Sequence, residues 1–309
     1  AYSISRLEEL ASQLLSNQAQ LFYSLGADAT WDGKVSGWLN HLRAQARTGV
    51  GAPDQVVDIR KILDEMRLIK SSFEIDLMHH SANIAAAAHQ RAIQFAKPGM
   101  MEYEVEAELL HEFYRRGAQS PAYTSIVAGG ANACTLHYNA NNAQLRDGDL
   151  LLIDAGCELD GYASDITRTF PVNGKFSPAQ KDLYELVLAA QVAAIEKVAP
   201  SQHWNAPHEA ALRVLAEGFV DLGLCSGTVD AVIESGSYRQ FYMHRTGHWL
   251  GLDVHDAGEY KTVASEWRQL EAGMALTVEP GCYVRPAENV PEEFWNIGIR
   301  IEDDVIVTA

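Results

Sequence analysis

The sequence has few cysteines, no long apolar run and a deficit of basic charge. Its four cysteines form no CxxC pair, which argues against a zinc ribbon, a dithiol redox site or a dense disulfide framework, and favours reduced thiols in the cytoplasm. No apolar stretch reaches the roughly 18 residues of a membrane helix, and the N-terminus lacks a signal-peptide pattern. With 41 acidic against 24 basic residues, the net charge of −17 argues against nucleic acid or an anionic membrane as the main partner.

The chain is long enough for two domains. Residues 1–66 show helical leucine spacing and a Gly/Pro loop but no evident chemistry, so we expect part of a smaller α/β N-terminal domain. Capping boxes at Ser71 and Ser177 open two helices, and in each case a second helix and then strand-like segments follow. This repeated order predicts an α+β domain with a pseudo-twofold repeat over residues 67–309. The strand-like segments are residues 123–127, 133–138, 149–157, 162–170, 275–279, 282–285 and 298–307.

The stretch LIDAGCELDGYASDIT is typical of a β-hairpin. The Asp-Gly pair in its middle favours a two-residue loop, which pairs residues whose numbers sum to 321. Asp154 then faces Thr167, and Asp154 and Asp165 become diagonal neighbours on one face, with open space at Gly156. Two carboxylates held together repel each other, so either a cation lies between them or one keeps a proton. Alternatively, both side chains are simply exposed.

Two further carboxylates lie in the second half of the chain. Glu279 stands where a strand meets a Pro-Gly turn, and Arg300 and Glu302 alternate with apolar residues. A buried Glu302 would need either Arg300 or a metal to neutralise it, whereas an exposed one could form a surface pair with Arg300.

Three histidines fall within twelve residues of the stretch FYMHRTGHWLGLDVH. His244 and His248 have the spacing of a zinc-protease helix, but Arg245 stands where such a helix has its glutamate, and the glycines disfavour a helix. We therefore expect an extended or looped segment that points its histidines, His255 included, into a cleft. Another histidine, His137, is expected at the end of a short strand.

Four motifs, IDAGCELDGYASDITRTF, HRTGHWLGLDVHD, TVEPG and GIRIEDD, resemble in order and spacing those of the pita-bread metallopeptidases. Within that group, residues 60–309 are most similar to the bacterial Xaa-Pro aminopeptidases (aminopeptidase P). The resemblance implies a pita-bread (creatinase/aminopeptidase-like) fold and two divalent metal ions, manganese by preference, with cobalt or zinc as alternatives. The implied metal ligands are Asp154, Asp165, His248, Glu279 and Glu302, of which Asp165 and Glu302 bridge both ions.

The same resemblance implies a hydrolase that removes an N-terminal residue preceding proline, using a hydroxide that bridges the two metals. Glu279 would carry a proton toward the leaving nitrogen, and His255 would steady the oxyanion. His137 and His244 would line the pocket for proline, while Tyr123 and Arg300 would orient ligands.

Peptides with proline at the second position are the expected partners, and a cytoplasmic homo-oligomer is expected. The main alternative is a prolidase, which shares the five ligands but cleaves only dipeptides. A methionine aminopeptidase, a metal-free creatinase-type enzyme, a phosphotriester hydrolase and a non-catalytic binding protein fit the motifs less well. Because the chain begins with alanine and stops soon after Glu302, we expect it to be part of a longer protein.

Overall fold

The computed structural model describes residues 2–308, which divide into two compact units between Met66 and Arg67. In the first unit, short helices accompany a parallel pair of strands. Its elements are α1 (Leu7–Leu15), β1 (Gln20–Phe22), α2 (Ala29–Ala44) and β2 (Gln55–Val57), and α3 (Arg60–Leu68) crosses the boundary. No helix within residues 2–308 is long and apolar enough to cross a membrane.

The second unit is built on two pairs of packed helices. Both first helices begin with the predicted capping box, in which the N-cap serine and the residue three positions later bond to each other's backbone N–H groups. In the second of these first helices, Pro178 at the first helical position adds a fixed φ. The helices are α4 (Ser72–Phe95), α5 (Glu102–Arg115), α6 (Pro178–Ile195), α7 (Ala206–Asp221) and the short α8 (Val229–Ser235).

Short antiparallel strands follow each helix pair. The strands are β3 (Ser120–Pro121), β4 (Ile126–Gly129), β5 (Leu150–Asp154), β6 (Cys157–Leu159), β7 (Tyr162–Ala163), β8 (Thr167–Pro171), β9 (Ala275–Val278), β10 (Gly281–Val284), β11 (Ile297–Arg300) and β12 (Asp303–Ile306). Two three-stranded sheets, β4-β5-β8 and β3-β6-β7, lie in the first half, and two pairs, β9-β12 and β10-β11, lie in the second.

Each helix pair covers the strands of its own half with an apolar core. Alanines of α4 let α5 approach closely, and Leu151 and Ile153 of β5 close this core from the sheet side. In the second half, α6 and α7 pack through Leu183 and Phe219 onto Ile299 of β11. The predicted α+β order of helices followed by strands, occurring twice, is therefore confirmed.

Four of the seven predicted strands are absent or interrupted. The segment 133–138 is not a strand: residues 130–134 form a 3-10 helix and His137 lies in a turn. Segments 149–157, 162–170 and 298–307 are each interrupted, and Asp165 and Glu302 lie in the interruptions of the last two. Breaks in the strand ladder free these backbone positions from regular pairing, which lets both carboxylates turn toward the same space.

Candidate metal centre

The hairpin in the first half has the predicted register. Asp160 and Gly161 adopt φ values of 50° and 86°, as a type I′ turn requires, and Asp154 pairs with Thr167. The expectation of open space at Gly156 is wrong, because a Cβ there would lie only 1.6 Å from the carbonyl oxygen of Ser164. Gly156 instead permits the close backbone approach at which the hairpin kinks.

The second half presents its groups from the ends of strands. Glu279 directly follows β9, and its N–H donates to the carbonyl of Thr246 at 2.8 Å. His248 flanks the same strand, since Thr277 N–H donates to its carbonyl at 3.0 Å and its own N–H donates to Thr277 Oγ1 at 3.2 Å. The histidine segment is irregular rather than helical, as expected.

The five predicted ligands line one cavity of about 500 Å³. Ligand atoms of Asp165, His248 and Glu302 all lie within 4.8 Å of one another. The Nε2 atom of His248 is 3.4 Å from Oδ2 of Asp165 and 3.8 Å from Oε1 of Glu279. Asp154 joins the group through Tyr123, whose hydroxyl is 2.6 Å from Oδ1 of Asp154 and 2.5 Å from Oδ1 of Asp165.

Burial and mutual repulsion make this cluster costly without a cation. Burial raises the pKa of Glu302 well above its usual range, and the charges of Asp165 and Glu279 raise it further. Burial also raises the pKa of Glu279 to about 8. Burial opposes a charge on His248, but its hydrogen bond to Asp165 and the charge of Glu279 raise its pKa to about 9. Divalent cations would replace these protons, and a donor set of four carboxylates and one imidazole suits a hard ion such as Mn²⁺.

Arg300 and Glu302 are both buried, which excludes the surface-pair interpretation. Arg300 does not neutralise Glu302 directly: its Nη2 donates to Oδ2 of Asp154 at 2.5 Å, and its Nη1 donates to Tyr283 at 2.9 Å. Glu302 instead accepts a bond of 2.6 Å from the hydroxyl of Thr167. Arg300 therefore orients Asp154, and a cation bound beside Glu302 would balance the charge of that carboxylate.

Hydrogen bonds or ring packing hold three histidines of the cavity wall in place. His248 Nδ1 lies 3.0 Å from the carbonyl of Trp249, a contact that leaves Nε2 facing the carboxylates. His244 contacts Tyr283 Oη through Nε2 at 2.8 Å, and burial, aided by the charge of Arg300, lowers its pKa to about 3. His255 packs edge-on against His248 with ring centroids 4.2 Å apart, and burial lowers its pKa.

All ten residues that the sequence nominated lie around the same site. Nine of them line the 500 Å³ cavity, the five predicted metal ligands and His137 among them, and Tyr123 bonds to two of the carboxylates. Sequence reasoning missed three supporting residues: Thr167, Tyr283 and Asp304, the last of which accepts the N–H of Asp165 at 3.1 Å. The hairpin register already placed Thr167 opposite Asp154, so that signal was available. Tyr283 bonds to His244 and Arg300 within the second half, and Asp304 reaches Asp165 across the two halves, so neither contact had a local signal.

A sequence profile of metallopeptidase family M24 matches residues 76–309. The chain is 47% identical to a Xaa-Pro aminopeptidase of Haemophilus influenzae over 308 residues, which cover 100% of this chain and 69% of that protein. Aminopeptidase PepP of Pseudomonas aeruginosa is 51% identical with a TM-score of 0.96, over 100% of this chain and 70% of that one. A zinc-substituted aminopeptidase P of Escherichia coli in complex with product gives 44% identity and a TM-score of 0.95, with the same coverage.

These similarities confirm the pita-bread α+β architecture and the family recognised from the four motifs. The profile covers nearly all of the second unit, and the relatives align over the chain from end to end. Sequence identity and structural superposition this high indicate common descent and not independent convergence on one fold. The chain belongs to metallopeptidase family M24.

Proposed function

We propose that this chain is a metal-dependent Xaa-Pro aminopeptidase, which hydrolyses the bond between an N-terminal residue and a following proline. The observation that carries the proposal is the convergence of four carboxylates and one imidazole on a single cavity. The names of the relatives with 47% and 45% identity, both Xaa-Pro aminopeptidases, support the substrate class.

Two divalent ions, most simply manganese, would be held by Asp154, Asp165, His248, Glu279 and Glu302. When bound, they would supply a water of lowered pKa and a Lewis acid for the scissile carbonyl. Oxygen-rich donors favour manganese over ions that prefer thiolates, and cobalt or zinc remain usable alternatives. The mutual repulsion of the buried carboxylates supports this assignment, because only added positive charge lets all of them ionise together.

The protein's own groups would bind the peptide and move its proton. Glu279 lies inside the cavity within reach of His248, where its carboxylate could pass a proton to the leaving proline nitrogen. His255 would donate to the developing oxyanion. His137 and His244 would hold the proline ring, the latter as a neutral imidazole fixed by Tyr283. Tyr123 and Arg300 would keep the carboxylates of the first half in position.

A peptide panel tests the proposal. The manganese-loaded protein is offered a Xaa-Pro dipeptide, a Xaa-Pro-Yaa tripeptide and a Met-Ala-Yaa peptide, each with and without excess chelator. We expect the tripeptide to be cut after its first residue only when metal is present. Cleavage of the dipeptide alone would instead identify a prolidase, an alternative that the similar proteins do not favour. No turnover of any peptide by the metal-loaded protein would contradict a peptidase function.

Three further proposals concern the domain organisation, the cellular compartment and the oligomeric state. We propose that residues 67–309 form the catalytic domain and residues 1–66 part of an N-terminal domain, which the compact units support. The four cysteines, all free and buried, support a reducing cytoplasm. Exposed apolar side chains on α3, including Met66 at 70% exposure, support self-association into a homo-oligomer, which sedimentation analysis would detect.

A further inference from the structure

The cavity extends beyond the predicted metal ligands to an aromatic and cationic end. Trp204, Tyr260 and Trp267 line it there, together with Arg245, the residue that follows His244. Trp204 and Tyr260 pack against each other with ring centroids 4.6 Å apart, so this wall is built from contacting aromatic rings. One end of the cavity is therefore strongly acidic, and the other carries a cation on an aromatic wall.

The guanidinium of Arg245 is held in place without an ionic partner. It lies over the ring of Trp267, 5.2 Å from the centroid, and Nη2 donates to Oδ1 of Asn205. The ammonium of Lys261 lies 4.4 Å from the same ring centroid, which adds positive potential. Across residues 2–308, no carboxylate comes within 4.0 Å of this guanidinium. In a chain with 41 acidic and 24 basic residues, such a restrained and unpaired arginine is available to an external anion.

The direction of a bound peptide follows from exopeptidase chemistry, and this step rests on the proposed function. Only one residue precedes the scissile bond, so the rest of the peptide extends past the proline. His244, proposed to contact that proline, directly precedes Arg245 in the chain. Because an extended peptide advances about 3.3–3.6 Å per residue, the next residue after proline reaches the neighbourhood of Arg245.

We infer that Arg245, steadied by Trp267 and Asn205, binds a carboxylate carried by the residue that follows proline. In a tripeptide this group is the C-terminal carboxylate, and in a longer peptide it is an acidic side chain at the third position. Four of the five N–H donors of the guanidinium remain beyond the one given to Asn205, and the planar group matches a carboxylate with two parallel bonds. The aromatic platform shields one face from water, which strengthens the interaction relative to a free surface pair.

The first experiment compares paired substrates that differ only in charge. The kcat/KM of the manganese-loaded protein is measured for Ala-Pro-Leu and its C-terminal amide, and for the amides of Ala-Pro-Glu and Ala-Pro-Gln. We expect the charged member of each pair to be preferred by about 3- to 10-fold, mainly through KM, with the preference shrinking in 0.5 M salt. A preference confined to the first pair would identify the C-terminus as the source, and one confined to the second pair would identify the side chain.

Variants assign the preference to Arg245. Arg245→Met should bring both ratios to about one, and Arg245→Lys should retain part of them, because it keeps the charge but loses the planar fork. Arg213→Met, which removes a solvent-exposed arginine paired with Asp230 on the surface, should keep the wild-type ratios. Equal rates for the charged and neutral peptides in the wild type, or an undiminished preference in Arg245→Met, would overturn the inference.

Calorimetry keeps this test separate from the test of the proposed function. Binding of the product-like dipeptide Pro-Leu and of its amide is measured directly, without turnover. If no peptide is cleaved, the proposed function fails, yet tighter binding of Pro-Leu that disappears in Arg245→Met would still support the carboxylate site. Equal binding of the two dipeptides would refute the carboxylate site even if cleavage occurs.

Discussion

Thr167 is bound to Glu302 twice. Its hydroxyl donates to Oε2 of Glu302 at 2.6 Å, and its carbonyl accepts the N–H of Glu302 at 3.1 Å. The two contacts join the start of β8 in the first half to the interruption between β11 and β12 in the second. The same hydroxyl also accepts from Nε of Arg300 at 3.2 Å. One threonine therefore orients both the carboxylate of Glu302 and the guanidinium of Arg300.

Thr167→Val should weaken metal binding without unfolding the protein. Valine preserves the shape but removes the hydroxyl that orients Glu302, and loss of such an outer contact costs roughly 10- to 100-fold in metal affinity or activity. Titration of the metal-free protein with Mn²⁺ by calorimetry would measure the change. Thr262→Val, at an exposed position, serves as the matched control. Unchanged affinity in Thr167→Val would show that Glu302 is held by other contacts.

Asp165→Asn should abolish peptidase activity and leave the fold intact. Since an outer contact alone costs up to about 100-fold, loss of a bridging ligand should lower kcat/KM by more than about 100-fold. The charge of Asp165 raises the pKa of Glu302; burial opposes that charge, but the bond to His248 lowers the pKa of Asp165, so these effects oppose each other and the metal-free variant should keep close to wild-type stability. Thermal unfolding in chelator and in Mn²⁺ would measure both effects, with Asp182→Asn on α6 as the control. An active Asp165→Asn enzyme would contradict the bridging assignment.

His89 should make stability depend on pH below neutrality. Its ring is 2% exposed, Nε2 lies 3.0 Å from the carbonyl of Ala155, and burial lowers its pKa from 6.5 to about 4. The unfolded chain therefore binds the extra proton between pH 6.5 and 4, and the free energy of unfolding falls as pH drops through this window. Complete protonation of His89 would lower the free energy of unfolding by about 3 kcal/mol.

His89→Gln separates this contribution from other titrating groups. Glutamine can still donate to the carbonyl of Ala155 but does not titrate. The stability of the variant should therefore vary less between pH 6.5 and 4 than that of the wild type. Urea unfolding at several pH values, on both proteins without metal, gives the difference directly. Parallel pH profiles for wild type and His89→Gln would contradict the prediction.

Lys70→Met should destabilise the loop that carries His255. Nζ of Lys70 donates to Oδ2 of Asp256 at 3.1 Å, and both side chains are 1% exposed. Removing one member of a buried pair leaves the other charge poorly compensated, which lowers the free energy of unfolding by about 3 kcal/mol. Arg67 offsets part of this loss through its own bond to Asp256. We also expect a lower kcat, because Asp256 directly follows His255. Urea unfolding and steady-state kinetics measure the two effects.

A double mutant and a surface control complete this test. Lys70→Met combined with Asp256→Asn should recover part of the lost stability, since no buried charge is then stranded. Lys181→Met, which breaks an exposed pair with Glu185 at 3.5 Å, should change stability by less than about 1 kcal/mol. If the losses from the two buried substitutions simply add, Lys70 and Asp256 are not coupled as the geometry indicates.

Local sequence rules predicted the elements that local forces control. Capping boxes located the starts of α4 and α6 to the residue. The Asp-Gly turn determined the register that pairs Asp154 with Thr167. Those rules failed at 133–138, predicted as a strand, where residues 130–134 form a 3-10 helix and His137 lies in a turn.

The sequence by itself determined the repeated α+β order, the hairpin register and the set of five proposed metal ligands, because turn chemistry, helix caps and contiguous motifs are local. Only the tertiary structure decided that Arg300 pairs with Asp154, that Thr167 bonds to Glu302, and that the guanidinium of Arg245 lies over the ring of Trp267. Each of these contacts joins segments at least 22 positions apart in the chain. Their partners are selected by how two separately packed cores bring strand ends together, which no local periodicity encodes.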